Sequence, residues 1–182
     1  MADAVNALWY ASRGTGVVAL LVLTLVVVLG VLAHQGKPFP GTPQFVVTGL
    51  HRNASLLAMF LLVIHIVTIV FDTYAKVGWI DVVIPFRSDF EPFWMGVGTL
   101  SAELFAAVVA TSLLRGMLGR RTWRAVHLLS YAAWPMALGH TLGTGTDAAA
   151  RWMLLLSAAC IAVAVASVVY RLVEPPGPEV TS

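Results

Sequence analysis

Four of the five histidines fall into two pairs of near-equal spacing: His51 with His65, fourteen residues apart, and His127 with His140, thirteen apart. Each pair sits in a stretch apolar enough to cross a bilayer. At about 1.5 Å per residue, either separation is roughly 20 Å along a helix. Imidazoles that far apart cannot share one metal. Two helices carrying such pairs at matched depths can hold two centres, one above the other.

Two imidazoles per centre are too few for zinc or copper, which take three or four protein ligands. No Cys, Asp or Glu lies at the right depth to complete both centres. A haem meets the count, because its macrocycle supplies four nitrogens and the protein only two axial ligands. The competing explanation is four histidines packed or hydrogen-bonded inside a helix bundle. Two pairs at matched spacing weigh against it.

The elements that carry these residues follow from composition. The chain has 182 residues, 59% hydrophobic and 11% charged, with a mean hydropathy of +0.85. Soluble domains carry about 25% charged residues, so the expected class is an all-α integral membrane bundle. Five segments reach spanning length: residues 15–32, 44–71, 93–114, 122–142 and 149–172. They define one domain over residues 1–173, followed by a proline-rich tail, residues 174–182, expected to be disordered. Residues 72–92 are too short and too charged to span, and are expected to lie along the membrane interface. The first apolar run is too long for the core of a cleavable signal and is read as a permanent span. Cys160, the only cysteine, lies within an apolar run and is expected to be a small core residue.

Basic residues orient the bundle. Arg115, Arg120, Arg121 and Arg124 crowd the loop between spans three and four and mark it as cytoplasmic, with Lys37, Arg52 and Arg171 on the same side. Arg13, Lys76, Arg87 and Arg151 fall outside. The N-terminus is therefore expected outside and the C-terminus in the cytoplasm, with Trp9, Trp79, Trp94 and Trp152 at the outer interface and Trp123 at the inner one. The small net charge of +2 points to topology and not to nucleic acid.

Spans two and four run in the same direction, so His51 faces His127 at the inner level and His65 faces His140 at the outer level. Fourteen residues return to within about 40° of one helix face, but thirteen leave about 140°. Pro135, with Gly139 beside His140, predicts a distorted fourth helix that rotates the outer ligand back.

The pattern resembles the ferric reductase-like transmembrane domain. The residues that carry the resemblance are His51-Arg52 with His65, then His127 with His140, on helices separated by one span. The early Arg13-Gly14-Thr15-Gly16 is similar to the start of that domain's first helix. The resemblance covers residues 9–172. It implies a multi-pass membrane cytochrome, in the bacterial inner membrane, that passes electrons through two b-type haems. Five spans instead of six, and about ten residues after the last span, depart from many relatives. With no flavin- or nicotinamide-binding domain, a separate flavoprotein, quinol or reductase is expected as redox partner. A quinol-linked cytochrome b of another family and a non-redox transporter or scaffold are the alternative readings.

Other candidates surround the wire. Arg13 at the outer level and Arg52 at the inner one suit haem propionates, which guanidinium binds bidentately. Glu103, the only carboxylate deep in a span, is costly in lipid and is a candidate acceptor for a histidine N–H or a proton carrier. Trp134 and Tyr131 lie near the His127 face, with Trp134 midway between the two levels, and are candidates for the gap between macrocycles. His34 is read as a loop residue. Gly49, Gly96, Gly98 and Gly139 offer room for a porphyrin or close helix contact.

Overall fold

The computed structural model describes residues 2–36 and 42–174. The predicted tail from residue 175 and the loop containing Lys37 lie outside the described residues. Among those described, every regular element is a helix. They are α1 (Ala2–Gln35), α2 (Gln44–Val70), α3 (Pro92–Leu113), α4 (Arg120–Leu128), α5 (Ser130–Thr144) and α6 (Arg151–Val173). Four of them, α1, α2, α3 and α6, are long and apolar enough to cross a membrane. The fourth predicted span is divided between α4 and α5.

Local chemistry sets the ends. Gly36 takes a φ of 63° directly after α1, the left-handed conformation in which glycine commonly closes a helix. Pro92 opens α3, where its missing N–H has no helical partner to lose. Gly119 precedes the Arg120-Arg121 start of α4. His34, expected in a loop, lies in the last turn of α1 and is exposed.

The helices run up and down between two ends. The upper end holds the start of α1, residues 71–91 and the α5–α6 loop. The lower end holds the finish of α1, residues 114–119 and the finish of α6. α1 packs along α2 and α3 along α5, while α6 packs on α1 and α2 touches α3 only lightly. Two helix pairs therefore face each other across a gap. At mid-height the bundle is closed by Leu20, Leu23, Ala58, Phe105, Trp134 and Cys160. Cys160 is a buried core residue, as expected.

Residues 72–91 form a folded cap over the upper end. Asp72 Oδ2 accepts from the backbone N–H groups of Tyr74 (2.8 Å) and Ala75 (3.2 Å), and Asp81 Oδ2 accepts from Gly78 N–H (2.8 Å). Such aspartate turns stand in for regular backbone pairing. Ala75 and Val77 are buried, and Trp9 of α1 packs on Tyr74 with ring centres 4.8 Å apart. Thr99 of α3 donates to the Asp81 carbonyl at 3.0 Å. The cap is thus tied to both helix pairs.

Candidate functional site

The two helix pairs bring the four histidines together in the expected combination. The His51 and His127 rings lie 6.2 Å apart, centre to centre, at 68° to one another. The His65 and His140 rings are also 6.2 Å apart, at 85°. The first pair is nearer the lower end and the second nearer the upper end.

Each ring is held through one nitrogen. His65 Nδ1 donates to the Ser12 carbonyl at 2.7 Å, His51 Nδ1 to the Val26 carbonyl at 3.0 Å, and His140 Nδ1 to the Trp94 carbonyl at 2.9 Å. A carbonyl can only accept, so these three nitrogens carry the proton. In a neutral imidazole the other nitrogen, Nε2, then keeps a free lone pair, the form a metal ligand needs. His127 differs: its Nδ1 lies 3.4 Å from the Ser112 hydroxyl, and its ring stacks on Trp123 at 5.1 Å.

One device recurs at the three carbonyls. Each belongs to the residue four positions before a glycine: Ser12 before Gly16, Val26 before Gly30, Trp94 before Gly98. A helical carbonyl already bonded to the N–H four residues on still has a second lone pair. With no Cβ at that fourth position, an imidazole from the neighbouring helix can reach it. A Cβ at Gly16 would come 2.9 Å from His65 Nδ1 and one at Gly30 would come 3.1 Å from His51 Cε1, while one at Gly98 would overlap the His140 ring. From sequence, Gly16 stands out only as part of Arg13-Gly14-Thr15-Gly16, and Gly30 not at all. The available signal was their spacing of fourteen, equal to that of the histidines they face. Of the expected glycines, Gly98 meets a histidine, Gly96 packs against Phe86, Gly139 lies near Trp94, and Gly49 faces open space.

Between His127 and His140 the helix is interrupted at Leu129. Leu129 N–H bonds back three residues to Val126, and Ala132 N–H three residues back to Leu129, a local tightening that adds rotation per residue. The distortion was expected around Pro135, which instead lies inside α5. Proline acts on the preceding turn, where its ring crowds the carbonyl four residues back, that of Tyr131. The break adjoins that turn.

The upper pair opens into a cavity with about 1260 Å³ of empty space, including its open mouth; Arg13, Gly16, His65, Gly98, Phe105 and His140 are among the residues that line it. Cap residues Ala75, Val77 and Phe90 close part of its upper side.

The remaining candidates separate. Arg13 lines this cavity, forms an ion pair with Asp147 and lies over the Trp9 ring at 5.8 Å. Arg52 is exposed and has no hydrogen bond or ion pair among the described residues. Glu103 is exposed as well and supports no histidine. It sits about 200° around α3 from Ser101, which is buried and donates to the Ala133 carbonyl. Backbone carbonyls and Ser112 take the role expected of it. Trp134 is buried between the two levels, and its indole N–H donates to Thr24 Oγ1 at 3.0 Å. Tyr131, expected in the gap, instead accepts a hydrogen bond from Arg171 through its hydroxyl.

Comparison with protein families adds a match to the ferric reductase like transmembrane component over residues 15–138. The chain belongs to that family. The matched stretch includes His51, His65 and His127 and ends two residues before His140. Comparison of this ferric reductase-like chain with curated proteins and with solved structures returned no match.

The imidazole pairs also pass a geometric test. A metal–imidazole bond of about 2 Å on each side, plus about 1.1 Å from nitrogen to ring centre, separates the centres by about 6 Å. The observed 6.2 Å in both pairs agrees. No group of three or more His, Cys, Asp or Glu able to hold a metal ion occurs among the described residues.

Proposed function

We propose that this chain is a transmembrane electron wire, with His51 and His127 the axial ligands of one b-type haem and His65 and His140 those of a second. The observation that carries the reading is the pairing of His51 with His127 and of His65 with His140 at 6.2 Å between ring centres, with Nδ1 of three of the four donating to a backbone carbonyl and leaving Nε2 available. Membership of the ferric reductase-like family supports electron transfer as the activity. When bound, each haem supplies a one-electron iron couple.

The chain's own residues orient, shield and balance the wire. The Gly-exposed carbonyls set ring rotation and tautomer. The cap over the upper end limits water at His65 and His140. Arg13 offers a guanidinium to an upper propionate and Asp147 shares it; Arg52, beside His51, remains the proposed partner of a lower one. Trp134 fills the space between the levels with a rigid aromatic ring.

In this reading the lower end faces the cytoplasm, since Arg52, Arg115, Arg120, Arg121, Arg124 and Arg171 gather there. The N-terminus is then outside, and α4 with α5 makes the fourth of five crossings of a bacterial inner membrane. Electrons enter from a separate flavoprotein, quinol or reductase at the lower end and leave to an acceptor at the upper one. The test uses protein reconstituted in vesicles loaded with ferricyanide, with an impermeant reductant outside. Internal ferricyanide should be reduced in protein vesicles, and His65→Ala should abolish this. Reduction no faster than in protein-free vesicles would sink the proposal.

A further inference from the structure

Ser112 occupies the fourth position of the device that glycine fills three times. Gly98 and Ser112 are fourteen residues apart on α3, as Gly16 and Gly30 are on α1. By that register the carbonyl equivalent to those of Ser12, Val26 and Trp94 is that of Val108. His127 does not reach it. Ser112 brings a Cβ to the place where the other three positions have none, and its Oγ meets His127 Nδ1 at 3.4 Å. The same Oγ accepts from the Trp123 indole N–H at 3.3 Å, and that indole stacks on the His127 ring. A nearby threonine does not explain the difference. Thr111 Oγ1 contacts the Val108 carbonyl at 3.2 Å, but Thr15 Oγ1 contacts the Ser12 carbonyl at 3.0 Å without keeping His65 away.

We infer that Ser112 is a positioning residue that sets the redox potential of the lower centre apart from that of the upper one. The inference rests on His127 being an axial ligand, as proposed above. A carbonyl pulls on the Nδ1 proton and makes the imidazole a more basic ligand, which favours the oxidised iron. A hydroxyl at 3.4 Å, already accepting from Trp123, pulls less. His127 is therefore the least basic of the four ligands, and the lower centre holds an electron more readily than it would with a fourth carbonyl. Because a hydroxyl both donates and accepts, Ser112 also leaves the His127 tautomer free where the other three are fixed.

The experiment is a spectroscopic redox titration of the purified full chain and three variants, resolving both haems. Ser112→Gly puts at this position the residue that the other three have and should lower the midpoint of the lower haem. Ser112→Ala keeps the Cβ and removes the acceptor, and should raise it. Each shift should be about tenfold in the reduced-to-oxidised ratio at fixed potential, equivalent to about 59 mV for one electron. The upper haem should not move, and Ser112→Thr should restore the native midpoint. Unchanged lower midpoints in the glycine and alanine variants, or shifts of the same sign in the two, would overturn the assignment. A native chain without a lower haem would instead refute the ligand assignment itself, so the two failures are distinguishable.

Discussion

The two helix pairs perform one task with different regularity. In α1–α2, the glycines and the histidines are both fourteen apart, and each of the two contacts joins a histidine to the carbonyl four residues before a glycine. In the pair formed by α3 with α4 and α5, the supporting positions are again fourteen apart but the histidines are thirteen. The upper contact, His140 on the Trp94 carbonyl, repeats the α1–α2 form. The lower one, His127 on Ser112, does not, and the break at Leu129 lies between them. Periodic spacing therefore places His51 and His65, while His127 and His140 lie on either side of the break at Leu129. Three of the histidines donate to a backbone carbonyl as a result, and His127 does not.

The largest expected effect tests whether the two levels are independent. His65→Ala or His140→Ala should remove one haem and leave the lower one, while His51→Ala or His127→Ala should do the reverse. Haem content and reduced spectra of the purified variants read this directly. Loss of both haems in every variant would mean that the levels are not separate centres.

Next in size are the glycines. Gly98→Ala forces a methyl into the His140 ring and should cost most of the upper haem. Gly30→Ala brings its methyl to 3.1 Å of His51, where a small shift relieves it, and lower-haem affinity should fall no more than about tenfold, the low end for losing a ligand's support. Haem retention on dilution ranks the two. Equal losses would show that the Cβ contact is not what matters.

Trp134→Phe removes the indole N–H but keeps an aromatic ring in the core. Thr24 already donates to the Leu20 carbonyl at 2.8 Å, so the lost bond should cost about 1 kcal/mol, with both haems retained. Thermal unfolding in detergent measures the first and absorbance the second. Loss of a haem here would place Trp134 in direct contact with the ligation.

The smallest effect should come from Asp147→Asn. Arg13 and Asp147 side chains are 20% and 41% exposed, and such a pair is worth under about 1 kcal/mol, less in salt. The variant should melt within a few degrees of the parent, and high salt should erase the difference. A large drop would make the pair a structural lock on the upper end.

Much of this was readable before any coordinates. The histidine partners follow from ligand type, spacing and the alternation of antiparallel spans, and the described helices bring the same residues together. The Gly16–Gly30 spacing was equally legible, but it acquires meaning only when those glycines are seen to face histidines on an antiparallel neighbour. The break was expected near Pro135 and falls at Leu129, because a proline disturbs the turn before it. The cap carries no period to read, since its order comes from aspartate turns. Arg13 and Asp147 are 134 residues apart, and no local pattern announces their pairing. Depth in the span is all that the sequence shows of Glu103. Its bearing around α3, opposite Ser101, directs it away from the histidines.

The central claim is that each facing pair of imidazoles holds one haem. Haem per polypeptide, counted on the purified chain by its pyridine haemochrome, tests it most directly. The account predicts about two b-type haems per chain. A colourless protein, or one haem that persists through all four single histidine-to-alanine variants, would contradict it.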